Sequence, residues 1–234
     1  MLIPPEIEGC SIVFLGSFNP AIFHPAWFAA NGILTEDEAK KANVEIIHRE
    51  IAIFKIPDWL FIHVTPNRFI AETQEPPPIR LLDLVFKTFG EALVHTPLAQ
   101  MGINRQVHFS VGDIEVRDRI GKVLAPQNAW GEWEPRIAGR SREKRGGMMS
   151  LVMIQRDLDD RESGHIQAKV EPSPKITNQS GILVEVNDHY EFKDKDVSGK
   201  GTERMISLLQ DRFEKSMEQS AWIIDQIMAL KDKV

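Results

Sequence analysis

The chain has a single cysteine, Cys10, so an internal disulfide is excluded. It has no apolar run approaching the roughly 20 residues that cross a bilayer, so no membrane partner is expected. The formal net charge of -6 excludes attraction of the whole surface to nucleic acid or anionic lipid. The first thirty residues lack the basic segment and apolar run of a secretory signal. Together with the lone cysteine, these features predict a cytoplasmic location.

Spacings that carry catalytic or metal chemistry are also scarce. The seven histidines lack the paired spacing of a zinc site, and the sequence G-x-S-x-G of serine hydrolases is absent. Cys10 lies in an apolar segment, where burial would raise the thiol pKa and make it unreactive. The acidic run from Asp157 to Glu162 lacks the glycine placement of a calcium loop. Asp188 and His189 are neighbours in a predicted strand and so point to opposite faces. We therefore expect no metal and no cofactor.

Composition is that of a globular protein, with 42% apolar and 26% charged residues over 234 positions. β-branched and aromatic residues cluster in short runs that predict strands. These runs are 44–56, 59–65 and 68–73 in the first half, and 148–155, 165–170 and 182–192 in the second. A helix with one apolar stripe is predicted after Pro78, and a second from Thr202 to Leu230.

Alternation of apolar and polar residues shows that the predicted sheet has one wet face. In Met101–Val111, Asn104, Gln106 and His108 oppose an apolar set, and 164–171 alternates in the same way. Sheets of this kind are usually antiparallel. We predict an α+β fold, an antiparallel sheet packed against helices, with two similar βββα halves. The halves are residues 1–126 and 148–234, joined by a basic loop at 127–147, or the whole chain forms one continuous domain.

The segment from Ile12 to Trp27 contains Gly-Ser-Phe-Asn-Pro after a predicted strand and before a predicted helix. It resembles nucleotidyltransferases that adenylate small molecules. The resemblance implies a phosphate site at Gly16, Ser17 and His24, with Ser17 and His24 as catalytic candidates. In that family two histidines stand two and five residues after the proline, whereas His24 stands four residues after Pro20. The alternative interpretation is a corner whose aromatic residues fill the core.

A basic run predicts a second candidate site, for anions. Four of its residues could contact phosphates of a nucleic acid, a nucleotide or a lipid head group. They are Arg140, Arg142, Lys144 and Arg145. The alternative interpretation is a solvated loop, because no nucleic-acid module or exposed aromatic pair accompanies the run.

The C-terminal helix carries a spacing of alternately four and three residues, which is typical of a coiled-coil seam. The seam consists of Leu209, Phe213, Ser216, Ser220, Ile223, Ile227 and Leu230. Its central serines are small enough to let another backbone approach closely. It predicts either contact with the helix's own sheet or an interface with a second copy or another protein.

The layout of residues 59–109 resembles a sporadically distributed family of uncharacterised bacterial proteins. The resemblance rests on 59–69, on a helix that begins after a proline run and contains Phe86 and Phe89, and on 101–105. It implies an accessory or defence-related bacterial protein and assigns no site residues. Our functional prediction is a non-enzymatic cytoplasmic binding or assembly protein that associates with itself or with a protein partner.

Overall fold

The computed structural model describes residues 1–139, 146–192 and 200–233 of the chain. Nine strands form one sheet in the order β2-β3-β4-β5-β1-β6-β9-β8-β7. Their bounds are β1 Ile7–Gly16, β2 Asn43–His48, β3 Ile51–Ile56, β4 Leu60–Thr65, β5 Arg68–Thr73, β6 Leu98–Ser110, β7 Leu151–Gln155, β8 Ser163–Pro172 and β9 Gly181–Glu191. Every neighbouring pair is antiparallel, which confirms the predicted α+β fold.

The helices lie between β1 and β2, between β5 and β6, between β6 and β7, and after β9. Their bounds are α1 Pro25–Ala30, α2 Glu36–Lys41, α3 Ile79–Phe86, α4 Ile114–Leu124, α5 Glu134–Ala138 and α6 Lys200–Met228. Thr35 caps α2 through a reciprocal bond with Glu38, and Asp113 caps α4, so both helix starts are encoded locally. A π-helical turn, Lys87–Ala92, extends α3. No helix in the described part of the chain is long and apolar enough to cross a membrane.

The topology repeats only in part, because four strands follow β1 and three follow β6, and the predicted strand run 44–56 forms the two strands β2 and β3. Strand β1 is followed by a meander that ends beside it at β5 and then by α3, whereas β6 is followed by a meander that ends beside it at β9 and then by α6. The two units meet where β1 pairs with β6, so they share one continuous sheet. Strand β6 pairs with β1 on one side and with β9 from Gln100 to Ser110 on the other, so it joins the two units.

The larger core lies under the N-terminal unit and is built around phenylalanines. Phe89 of the π-helical turn meets Phe69 edge to face at 4.9 Å and Phe14 at 5.3 Å between ring centroids. Phe18 and Phe23 complete the cluster, and both are buried. This geometry is the favourable one for aromatic pairs. The corner between β1 and α1 is therefore a packing element.

Helix α6 uses most of its predicted seam inside the chain. Four seam residues are buried where α6 crosses the sheet: Leu209, Phe213, Ser216 and Ser220. The small serines allow that approach, and Arg105 of β6 donates to the Met217 carbonyl at 3.0 Å. The buried four are thus unavailable to a partner helix in this fold. Ile223, Ile227 and Leu230 are half-buried against the smaller core.

Candidate functional site

The sheet face turned away from the helices is polar, and we call it the open face. The buried core residues of the central strands, such as Ile12 and Ile103, lie on the opposite face. Side chains of the open face come from β1, β5, β6, β8 and β9. The polar and charged ones are Ser11, Arg68, Glu72, Gln100, Asn104, Gln106, Gln167, Lys169, Glu185, Asn187 and His189, and the apolar Val13, Leu15 and Ile70 lie among them. Most of them are half-buried, so the middle of this face is recessed.

Two adjoining hollows occupy the middle of the open face, with volumes of about 280 and 260 Å³. Both are lined by Val13, Arg68, Asn104 and Asn187, so we treat them as one central hollow. Register explains the meeting of these residues: Asn104 lies opposite Asn187 on β9, and Arg68 of β5 lies beside β1. The hollow is therefore assembled from strands far apart in the chain.

Asn187, which lines the central hollow, has an amide oxygen that is almost inaccessible to solvent. Among the described residues, no group donates a hydrogen bond to this Oδ1 atom. Its neighbour Asn104 donates from Nδ2 to Ser11 Oγ at 3.1 Å. Gly102 leaves the space above this amide open, since a methyl group there would lie 3.4 Å from the Asn187 Oδ1. A buried acceptor without a donor costs about 1–3 kcal/mol, so the oxygen calls for a ligand group or water.

Lys169 and Arg68, two basic residues of the open face, differ in whether their charge is paired. Lys169 bonds Glu185 and Glu171, and the bond to Glu185 is the main cause that raises the lysine pKa. Within the described residues, the Arg68 guanidinium has no ion-pair or hydrogen-bond partner, although it lines both parts of the central hollow. Arg68 is thus the cation that remains available to an anionic group.

Two histidine rings contact each other beside the central hollow, and His189 is the one that lines it. The rings of His165 and His189 lie 4.9 Å apart between centroids. Burial lowers the His189 pKa, and the neighbouring His165 lowers it further. Asp188 points into the core, which confirms that it and His189 occupy opposite faces.

A serine and a histidine also meet at the end of the open face, a pair that sequence reasoning missed because 65 positions separate them. The His108 Nδ1 lies 2.8 Å from Ser173 Oγ, and His108 Nε2 lies 2.9 Å from an amide atom of Gln106. Both members of the pair are buried, and Ser173 Oγ accepts from the amides of Lys175 and Ile176. The Ser173 hydroxyl therefore caps a turn. The alternation predicts a solvated His108, and this prediction is wrong because the turn covers the ring.

We expect the protein to lose stability as the pH falls below about 6.5. Burial is the main cause that lowers the pKa of both His108 and His189 below their ordinary 6.5. As the pH falls, the histidines of the unfolded state bind protons before those of the folded state. The free energy of unfolding is therefore highest above pH 6.5 and decreases as the pH falls toward the lower histidine pKa values of the folded state. Urea midpoints measured from pH 7.5 to 5.5 should fall.

The His108→Asn variant is the control for that pH dependence, because it should show a shallower fall than the wild type. Glu38 and Asp160 also have lowered pKa values, but they respond only below their ordinary 4.5 and 3.8. The window above pH 5 thus isolates the histidines. Equal slopes in the variant and the wild type would contradict a role for His108.

The residues of the nucleotidyltransferase resemblance do not converge on a cradle. The amides of Gly16, Ser17 and Phe18 already donate to backbone carbonyls of the 66–67 and 97 loops. His24 is exposed and caps the six-residue α1 through Nδ1, which accepts from the Ala26 amide at 3.1 Å. These contacts use the groups that a phosphate would need. The all-antiparallel sheet likewise favours the packing interpretation of this corner.

The other predicted site residues are dispersed. Arg140, Arg142, Lys144 and Arg145 lie outside the described residues. Cys10 is buried, and burial raises its pKa to about 12, which fits an unreactive thiol. In the described part of the chain, no group of three or more histidine, cysteine or acidic side chains is placed to hold a metal ion.

The acidic turn before β8 is tied into the core by an ionic cluster. Arg161 donates to Asp188 and to the carbonyl of His189, and its Nε bonds Asp160 at 2.8 Å. Tyr190 adds a hydroxyl bond to Asp188 at 2.9 Å and lies under the guanidinium. The side chains of Arg161 and Asp188 are each only 4% exposed. Because its members satisfy one another, this cluster is structural.

No protein-family model matches this chain, and no curated protein matches its sequence. The candidate site therefore rests on the geometry of the open face.

Proposed function

We propose that the protein is a non-enzymatic binding protein whose open face holds a polar, acidic ligand in the central hollow. The observation that carries this proposal is the buried Asn187 Oδ1, which has no donor among the described residues, in a hollow lined also by Arg68, which has no ion-pair partner among the same residues. A recessed surface with a few convergent polar groups is the usual form of a ligand site.

The two groups define the ligand by chemistry. Arg68 supports a carboxylate or phosphate, because guanidinium bonds both anions with matched geometry. The Asn187 Oδ1 atom can only accept hydrogen bonds, so it favours a ligand that places a hydroxyl or an amide N–H close to its anionic group. The His189 ring borders the hollow, and the His165 ring lies next to it at 4.9 Å between centroids. An acidic molecule that also carries hydrogen-bond donors fits this set.

Native mass spectrometry of protein purified from its source cells is the test of the ligand proposal. The wild type should carry the added mass of a bound small molecule. The Arg68→Ala variant should bind the same molecule with an affinity at least about tenfold lower. A hydrogen bond to a charged group contributes about 1.5–3 kcal/mol, which is roughly 10- to 100-fold in affinity. Asn187→Leu should weaken retention as well, because it removes the acceptor.

Arg49→Ala is the matched control, since Arg49 lies in the turn between β2 and β3 and is exposed. It should leave the retained mass unchanged. The proposal fails if Arg68→Ala and Arg49→Ala retain the same mass equally. It also fails if the wild type carries no added mass and its Arg68 side-chain NMR signal is unmoved by millimolar acetate, glutamate or phosphate.

The proposal includes self-association in the cytoplasm. The lone, buried cysteine supports a reducing compartment. Self-association through the C-terminal helix would have to use the part of the seam that is only half-buried, Ile223, Ile227 and Leu230. A different surface has stronger support as an interface.

A further inference from the structure

Strand β7 forms one edge of the sheet, and its outer backbone groups are unpaired within the described residues. Four of its five residues are exposed, and three of these are large and apolar. Val152, Met153 and Ile154 are 45%, 65% and 42% exposed. An apolar edge strand with free backbone donors and acceptors is a template for another strand.

The opposite edge, β2, is protected in ways that β7 is not. A register irregularity interrupts β2 between Val44 and Ile46, and Glu45 on this edge pairs with Lys55 at 3.0 Å. The register of β7 with β8 is regular, and residues 148–155 contain no charge, proline or glycine. Charges and bulges are the devices that keep edges from pairing, so their absence marks β7 as the interactive edge.

The smaller core is also open at this edge. Leu151 lies opposite the buried Val170, and Met153 lies opposite Ala168, which packs on the same core. A strand added to β7 would therefore extend both the hydrogen-bonded sheet and the apolar layer beneath it. Both faces of β7 would lose exposed apolar surface.

We propose that β7 pairs with β7 of a second copy of this chain, in antiparallel fashion about a two-fold axis at Met153. This register places Val152 opposite Ile154, Leu151 opposite Gln155, and Met153 opposite itself. An isologous contact must be self-complementary, and this strand is, because it is uncharged and places no like charges opposite each other. The proposal does not rest on the ligand site.

Analytical ultracentrifugation of the wild type and Met153→Lys tests the interface. The wild type should sediment as a dimer. In Met153→Lys two lysines face each other on the axis, and like charges directly opposite destabilise a strand pair. We expect the dissociation constant to rise at least ~10-fold, with an unchanged circular dichroism spectrum. Val44→Lys on the other edge is the matched control and should remain dimeric.

A cysteine on the axis tests the register itself. Met153→Cys should form a disulfide-linked dimer without added reductant, because directly opposed residues lie about 4.5–5.5 Å apart between Cα atoms, within disulfide range. Val152→Cys, which faces Ile154, should crosslink far less. The buried Cys10 provides little background.

Three outcomes would overturn the proposal. The first is a wild type that stays monomeric at all concentrations, and the second is a dimer that Met153→Lys leaves intact. The third is a Met153→Cys protein that, in its source cells, crosslinks to a different protein instead of to itself. That last result would assign the edge to a foreign strand.

Discussion

Replacing Arg161 with methionine is expected to lower the free energy of unfolding by about 3–5 kcal/mol. The substitution keeps an apolar chain of similar length but leaves the Asp188 carboxylate almost fully buried. Among the described residues, the Tyr190 hydroxyl is then its remaining side-chain donor. An uncompensated buried charge is among the most destabilising single changes. Urea unfolding followed by circular dichroism measures the loss.

Arg49→Met is the matched control for Arg161→Met. Its ion pair with Glu50 is exposed, at 81% and 70% for the two side chains, and such pairs contribute about 0–1 kcal/mol. The double variant Arg161→Met with Asp188→Leu separates charge from packing, because it removes both buried ions. It should be more stable than Arg161→Met alone. If the double variant is less stable, the buried charge is not the cause.

Replacing Phe89 with alanine is expected to cost about 3–5 kcal/mol in the free energy of unfolding. Phe89 is fully buried and contacts Phe14, Phe18 and Phe69, so its removal opens a cavity at the centre of the larger core. The total free energy of unfolding of a typical domain is about 5–15 kcal/mol. The variant should therefore unfold at a much lower urea concentration than the wild type.

Phe61→Ala is the same chemical change at a half-buried position of β4, where the ring lies under Lys55 at 5.4 Å. It should cost about 1 kcal/mol, as most single substitutions do. Similar losses for Phe61→Ala and Phe89→Ala would show that the phenylalanine cluster is not the main source of stability.

Local patterns predicted most of the strands and helices α3 and α6, but not α2, α4 or α5, and not which strands pair. Two-residue alternation identified the polar faces of β6 and β8. The same alternation placed Asn104, Gln106 and Gln167 on a wet face, which was the available signal for the candidate site. It could not show that Asn187 and Arg68 join Asn104, because their meeting depends on strand order.

Two interpretations depended on long-range packing: the one on His108 was wrong, and the one on α6 had left two alternatives open. His108 alternates as a wet residue, yet the turn at Ser173 covers it. The spacing of α6 marks an apolar seam correctly but carries no information on what covers it, and the chain's own sheet covers Leu209 to Ser220. Sequence periodicity identifies the apolar face of a single helix or strand. What packs on that face depends also on a second element, which the periodicity does not identify.

The sequence by itself determined the α+β class, the antiparallel character of the sheet, the helices after each meander and the buried, unreactive Cys10. Each of these follows from residue type and short-range spacing, which act within a few residues. Only the tertiary structure decided that nine strands share one sheet, that α6 packs inward and that Asn187 and Arg68 line one hollow. It also decided that β7 is an edge strand that no described residue pairs with on its outer side. Those outcomes depend on which distant strands pair, because backbone hydrogen bonds across a sheet are the same for every residue and strand order is set by the packing of the whole chain.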